Sequence, residues 1–161
     1  MRVLTAIGLA LTLAACGPKP ASGGETAKAA NAFMAANAKL PGVVTLPSGL
    51  EYKIVASGPA DGPHPRVSDE VKVDYEGKLT SGVIFDSSFQ RGVPADFPLD
   101  GLVQGWVEAL QLMRPGDEWI LYVPPALGYG DEDKGPIPAN SVLIFRIKLL
   151  GVLQHPPGAM G

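Results

Sequence analysis

The sequence predicts an α+β domain: a curved antiparallel β-sheet wrapped around one short α-helix, preceded by a short N-terminal helix. Three observations carry that reading. Glu70-Val71-Lys72-Val73-Asp74-Tyr75-Glu76-Gly77 alternates charged and apolar residues, the period-two pattern of a strand with one buried face. Gly105 or Trp106 through Met113 is the one convincing core helix, and Arg114-Pro115-Gly116-Asp117 stops it with turn chemistry. The 20 glycines and 16 prolines among 161 residues fit short strands and turns better than a helical bundle.

Taken in order, Arg2 precedes an apolar run from Val3 to Leu13 and then small residues, the shape of a secretory signal too short to span a bilayer. Residues 1–15 are read as that leader. It ends in Leu13-Ala14-Ala15-Cys16, and Cys16 is the only cysteine, so no disulfide can form within one chain. Leu-Ala-Ala-Cys resembles the bacterial lipobox, in which the cysteine is lipidated; each buried methylene adds about 0.8 kcal/mol of membrane affinity. Gly17 rather than aspartate follows, which by that resemblance favours the outer membrane of a bacterial envelope, on its periplasmic side. Residues 16–27 are small and polar, a flexible tether. Residues 28–41 are a short helical segment within alanine-rich Glu25 to Lys39, ending before Pro41 and needing something to pack on.

Residues 42–151 form one domain with one core, followed by a tail, 152–161. Val43 to Leu46 and Leu50 to Ala56 read as strands about Pro47-Ser48-Gly49. In the alternating strand Val71, Val73 and Tyr75 share a face, and Thr80-Ser81-Gly82 turns into Val83-Ile84-Phe85. Asp86 to Asp96 reads as irregular, and Pro98 as a sheet edge. Trp119 to Val123 and Val142 to Leu150 are strands again. A sheet curled round a helix leaves a concavity, and Trp106 at the helix start would sit at its floor. The net charge of −3 and the lack of a Lys/Arg cluster exclude nucleic acid as a partner class.

The stretch Ala126 to Phe145 (ALGYGDEDKGPIPANSVLIF) offers no reactive constellation. Gly-Tyr-Gly lacks the spacing of a dinucleotide loop. Asp131-Glu132-Asp133 lacks the alternating ligands and distal glutamate of a calcium loop, so no metal is expected. His64 and His155 stand near no serine motif, and no thiol is left for catalysis once Cys16 is lipidated. Other residues have plain alternatives. Aromatics at period two are usually core, Trp106 beside Gly105 is core by default, and Asp86 can be a turn residue bonding its own backbone.

Six motifs recur in order: Val73-Asp74-Tyr75-Glu76-Gly77, Phe85-Asp86-Ser87-Ser88, Val103-Gln104-Gly105-Trp106, Leu127-Gly128-Tyr129-Gly130, Ile137-Pro138-Ala139 and Leu143-Ile144-Phe145. Together, over Leu50 to Leu150, they resemble the FKBP-type peptidyl-prolyl isomerases. Val43 to Gly49 resembles the lead-in of secreted bacterial members, whose helical dimerisation arm is here cut to one short segment. The resemblance implies a pocket with Trp106 as floor, Tyr75, Phe85 and Phe145 as aromatic walls, and Leu102, Val103 and Ile137 as aliphatic ones, with Phe97 as a further substrate-binding residue. It implies Asp86 and Tyr129 as the polar groups, the Val103 N–H as donor to a ligand carbonyl, and Arg91 as partner of Asp86. Asp86, Tyr129, Trp106 and Phe85 would then serve catalysis and the others substrate binding. Ala95 replaces an often aromatic rim residue, and the loop after Tyr129 is one residue shorter than in eukaryotic relatives and lacks their histidine.

The chemistry implied needs little equipment. Rotation about an Xaa-Pro amide breaks resonance, a barrier of roughly 20 kcal/mol, but no bond is made or cut. A catalyst need only bind the twisted amide better than either planar form, with no cofactor. Expected partners are unfolded or partly folded proline-containing chains, macrolide inhibitors of the family and, through Cys16, a membrane. A lipid-anchored holdase would use the same residues without turnover; a purely structural envelope lipoprotein would leave the pocket without a ligand.

Overall fold

The computed structural model describes residues 23–154, with side chains from Ala27 onward. The leader, Cys16, most of the tether, and the tail beyond Gln154 with His155 lie outside the described residues. The strands are β1 (Val43–Thr45), β2 (Glu51–Ala56), β3 (Glu70–Leu79), β4 (Ile84–Ser87), β5 (Ala95–Pro98), β6 (Glu118–Val123) and β7 (Leu143–Leu153). The helices are α1 (Gly23–Asn37), α2 (Ser88–Arg91) and α3 (Gln104–Leu110).

The alternation that marks β3 decides where it lies. Val71, Val73, Tyr75 and Gly77 all point inward, and the strand pairs along its whole length with β7, from Glu70↔Leu153 to Leu79↔Leu143. The sheet order is β1-β2-β6-β7-β3-β4, with every pairing antiparallel. The outer edge of β3 is shared: β5 covers Glu70 to Val73, and β4 covers Glu76 to Lys78. Pro98 ends β5 opposite Glu70, on the sheet edge where a residue without N–H belongs.

Inside the curve, α3 lays Trp106, Ala109 and Leu110 against Leu121 and Val123 of β6 and Leu143, Phe145, Ile147 and Leu149 of β7. Leu110, Leu121, Leu143 and Leu149 are each 0 % exposed, and burial of such a side chain stabilises by about 1.5–3 kcal/mol.

Beyond shifts of one or two residues at other strand ends, the bounds depart from expectation in four places, each for a local reason. Helix α3 stops at Leu110 rather than Met113, because Leu112 and Met113 bond back to Ala109 in a tightened turn ahead of Pro115 and left-handed Gly116. Asp86 to Asp96 is not irregular throughout. Ser87 caps α2 by accepting the Gln90 N–H at 3.2 Å, Gly92 closes it at φ 71, and β5 follows. Strand β7 runs two residues into the expected tail, where Val152 and Leu153 pair with Val71 and Glu70.

Helix α1 begins at Gly23, inside the expected tether, and ends at Asn37. It finds the packing partner that so short a helix needs. Ala30, Phe33 and Met34 share a face and cover Val142 and Tyr122. At its end Asn37, 4 % exposed, donates from Nδ2 to Oε2 of Glu51 at 2.7 Å, giving a buried carboxylate its partner.

Candidate functional site

The concavity between the sheet and α3 holds a cavity of about 330 Å³. Its lining is Tyr75, Phe85, Asp86, Phe97, Gly101, Leu102, Val103, Trp106, Tyr129, Ile137 and Phe145. Of the pocket residues expected from the sequence, all but Arg91 are in that lining, and Arg91 stands behind it, bonded to Asp86 and Tyr75.

Strands β3, β4, β5 and β7, helix α3 and two connecting segments supply these groups. Trp106 comes from the first turn of α3 and is 4 % exposed. Its indole N–H is buried with no hydrogen-bond partner among the described residues, so ring contacts set its position. Tyr75, Phe97 and Phe145 surround it at centroid distances of 5.3, 6.1 and 5.1 Å, at interplanar angles of 81°, 82° and 90°. Edge-to-face geometry of this kind places positive ring edges against negative faces and fixes each ring against its neighbour. Phe85 on β4 meets Phe145 on β7 in the same way, 5.7 Å apart at 89°.

The wall opposite is aliphatic. Leu102 and Val103 lead into α3, where extended Val103 lets its carbonyl accept from the N–H groups of Trp106 and Val107. Ile137, 6 % exposed, and Tyr129, 37 % exposed, come from the two limbs of the loop before β7. Its acidic residues are exposed.

One polar corner remains. Tyr75 donates its hydroxyl hydrogen to Oδ2 of Asp86, and Arg91 pairs through Nη1 with Oδ1 of the same carboxylate. Nη2 of Arg91 reaches the Tyr75 hydroxyl at 3.1 Å, with the guanidinium 5.6 Å from the ring centroid. Asp86 is thus a strand residue whose carboxylate is held by the Tyr75 and Arg91 side chains, beside a local bond from the Ser87 backbone. Burial works to raise its carboxyl, but the hydrogen bonds from Tyr75 and Arg91 and the nearby positive charge outweigh that and hold it below its ordinary value. Burial first, then the bond to Asp86, pushes the Tyr75 hydroxyl above its ordinary value, so it stays a donor.

Two residues with structural duties here were quoted in motifs without a role. Between its β5 and β4 partners, β3 leaves the Tyr75 amide without a strand opposite. The Ser88 hydroxyl fills that gap, accepting the Tyr75 N–H at 2.8 Å and donating to Oδ1 of Asp74 at 3.0 Å. It thereby clamps α2, which carries Arg91, onto the strand that carries Tyr75. Gly77 is the second. A Cβ there would lie 2.6 Å from Phe85 Cζ and 2.7 Å from Phe145 Cε1, so the two rings close over bare backbone. A glycine at an inward position of an alternating strand is the sequence signal for such an approach. Gly101 in the lining had no such signal.

A family model described as FKBP-type peptidyl-prolyl cis-trans isomerase matches residues 62–150, and one for the domain amino-terminal to it matches residues 18–54. The chain is 48% identical over 127 residues to the peptidyl-prolyl cis-trans isomerase Mip of Coxiella burnetii, covering 78% of this chain and 54% of that protein. It is 47% identical over 123 residues to the outer membrane protein MIP of Legionella longbeachae, covering 76% of this chain and 52% of that one. The chain spans about half the length of these curated relatives. Its fold superimposes on a peptidyl-prolyl cis-trans isomerase of Pseudomonas syringae pv. tomato with TM-score 0.77 and 37% identity, covering 84% of this chain and 99% of that one. Since the match runs through the strands and loops that build the pocket, the chain belongs to the FKBP-type peptidyl-prolyl cis-trans isomerase family.

Proposed function

We propose that this protein is a peptidyl-prolyl cis-trans isomerase that assists the folding of envelope or secreted proteins. The observation that carries the reading is an apolar, ring-lined cavity with a single hydrogen-bonded polar corner. Uncatalysed rotation takes tens of seconds because the planar amide is held by resonance. In this reading the prolyl ring lies on Trp106 between Tyr75, Phe85, Phe97 and Phe145. The carbonyl of the bound chain accepts from the Val103 N–H, and Tyr129 offers a hydroxyl at the rim. Asp86, fixed by Tyr75 and Arg91, presents a field that need not reorganise as the amide twists. Pocket walls of carbon leave the planar amide's charge separation poorly solvated, and binding favours the twisted form.

The test is proline-limited refolding and protease-coupled peptide exchange with the purified chain, over several residues before proline. Acceleration is expected without nucleotide and in chelator, and a macrolide ligand of the family should suppress it. Unchanged rates across the whole panel would leave only capture without turnover. That the Coxiella burnetii and Pseudomonas syringae proteins are named as isomerases favours turnover over the holdase.

We place the protein in the bacterial envelope, facing the periplasm, with residues 1–15 as leader, Cys16 lipidated, and a short tether before α1. The apolar run ending at the only cysteine supports this, and the name of the Legionella longbeachae relative supports the outer membrane. Cys16→Ser should leave the chain unprocessed or release it from membranes. Unaltered membrane fractionation of that variant, with no acyl mass on the parent, would refute the anchor.

A further inference from the structure

The loop that carries Tyr129 and Ile137 is closed by a ladder with one rung of a different kind. At its base the Asn140 N–H donates to the Gly130 carbonyl at 2.8 Å. At its tip Lys134 and Ile137 exchange both backbone bonds, 2.9 and 3.0 Å, around Gly135-Pro136. Gly135 has φ 56, the positive value that a two-residue hairpin asks of its first central position. Between base and tip, Pro138 has no N–H to give. The remaining amide, that of Ala139, donates instead to Oδ1 of Asp133 at 2.7 Å. A side-chain carboxylate thus stands where a strand would offer a carbonyl.

We propose that Asp133 is a positioning residue of the proline pocket: its carboxylate ties the limb bearing Ile137 to the limb bearing Tyr129. Ile137 is two residues from the tied amide and belongs to the cavity wall, while Tyr129 enters the cavity from the opposite limb. Losing the rung frees the Ile137 limb between Lys134 and Asn140 and widens the wall. Ground-state contact with the prolyl ring weakens, while the polar corner at Asp86, on another element, is untouched. The role needs an acceptor, not a charge. The neighbouring acid Glu132 pairs instead with Lys134 at 2.7 Å, and Asp131, exposed like Asp133, matches it in charge.

The test uses the full chain with Asp133→Ala, Asp133→Asn and, as a charge control, Asp131→Ala. Asp133→Ala should speed hydrogen exchange of the Ala139 amide about tenfold. The Ile137 methyl resonances should shift, and KM for an Xaa-Pro peptide should rise about three- to tenfold, with kcat within about twofold of the parent. Asp133→Asn keeps an acceptor and should reverse most of each effect. The proposal is overturned if Asp133→Ala leaves Ala139 protection and KM at parent values, if Asp133→Asn is as damaging as alanine, or if Asp131→Ala loosens Ala139 equally. The kinetic arm rests on the isomerase reading. If the unsubstituted chain shows no turnover, that reading falls, and the amide and methyl measurements alone decide the role of Asp133.

Discussion

Gly77→Ala adds one methyl group and removes nothing, so it isolates the shape of the pocket from its chemistry. The new Cβ would stand 2.6 and 2.7 Å from two atoms of Phe85 and 2.7 Å from one of Phe145. Ordinary carbon contacts lie at about 3.5–4.0 Å, so both rings must give way by roughly 1 Å. Phe145 sits on β7 between β3 and β6 and can yield only through a small shift of the β3 and β7 backbones, whereas Phe85 lies on edge strand β4, is half-buried and moves freely. Phe85 should therefore swing outward and break its edge-to-face contact with Phe145. Overpacking of this kind costs about 1–3 kcal/mol, and the displaced wall should cut ligand affinity and kcat/KM about tenfold, a loss of about 1.4 kcal/mol. Calorimetric titration with a macrolide ligand, protease-coupled exchange and thermal melting measure the three quantities. Gly82→Ala is the control. Gly82 has φ 89 and nothing within 4 Å of its would-be Cβ, so alanine there strains the backbone and lowers stability while leaving the pocket intact. If Gly77→Ala binds and turns over like the parent, or is no worse in the pocket than Gly82→Ala, the account of the aromatic wall is wrong.

Asp86→Val and Tyr129→Phe should each reduce turnover, on the order of tenfold for Asp86→Val and less for Tyr129→Phe, with a cooperative melt in both and only a small drop in melting temperature for Asp86→Val; complete loss in a folded variant would point to a different chemistry. Because the Asp86 carboxyl is held below its unfolded value, its contribution to stability is full above about pH 4 and is lost as the pH falls through the lowered folded value. The raised Tyr75 hydroxyl contributes fully below its unfolded value near 10 and loses that contribution as the pH rises through the folded one. Between about pH 5 and 8 neither group titrates, so kcat/KM should be flat there, and a slope of one in its logarithm would refute the assignment of the polar corner. Asn37→Ala strands the Glu51 carboxylate without its donor; amide exchange in α1 should accelerate while ligand affinity holds, and unchanged protection of α1 would contradict its anchoring role.

What could be read from the sequence follows the reach of each force. Burial of one sheet face imposes period two on β3, so Val71, Val73 and Tyr75 were legible along the chain. The pocket residues were legible through the order of six motifs, and Trp106 through its place at a helix start. The features that escaped were side chains bonding to backbone or to residues distant in sequence. Ser88 to Tyr75 and Asn37 to Glu51 exist only because strands bring remote residues together, and the Asp133 to Ala139 rung requires the hairpin to be closed first. Capping of α2 by Ser87 and Gly92 was local, but at one turn of helix it lacked the periodicity that marks longer elements.

The placement of β7 has a consequence for how the molecule comes into being. The last of the described strands is not at an edge; it lies between β3 and β6 and brings Phe145 with it. A chain emerging N-terminus first, at roughly 5–20 residues per second, already carries Trp106, Tyr75 and Phe85 while β3 and β6 still lack their common neighbour. Such long-range pairing also slows folding once it becomes possible. The unfinished chain is therefore open and easily threaded, and the site closes only when the final strand arrives. A chain ending at Ser141 should bind no macrolide ligand and show no cooperative melt, although it contains all but one of the pocket's aromatic side chains.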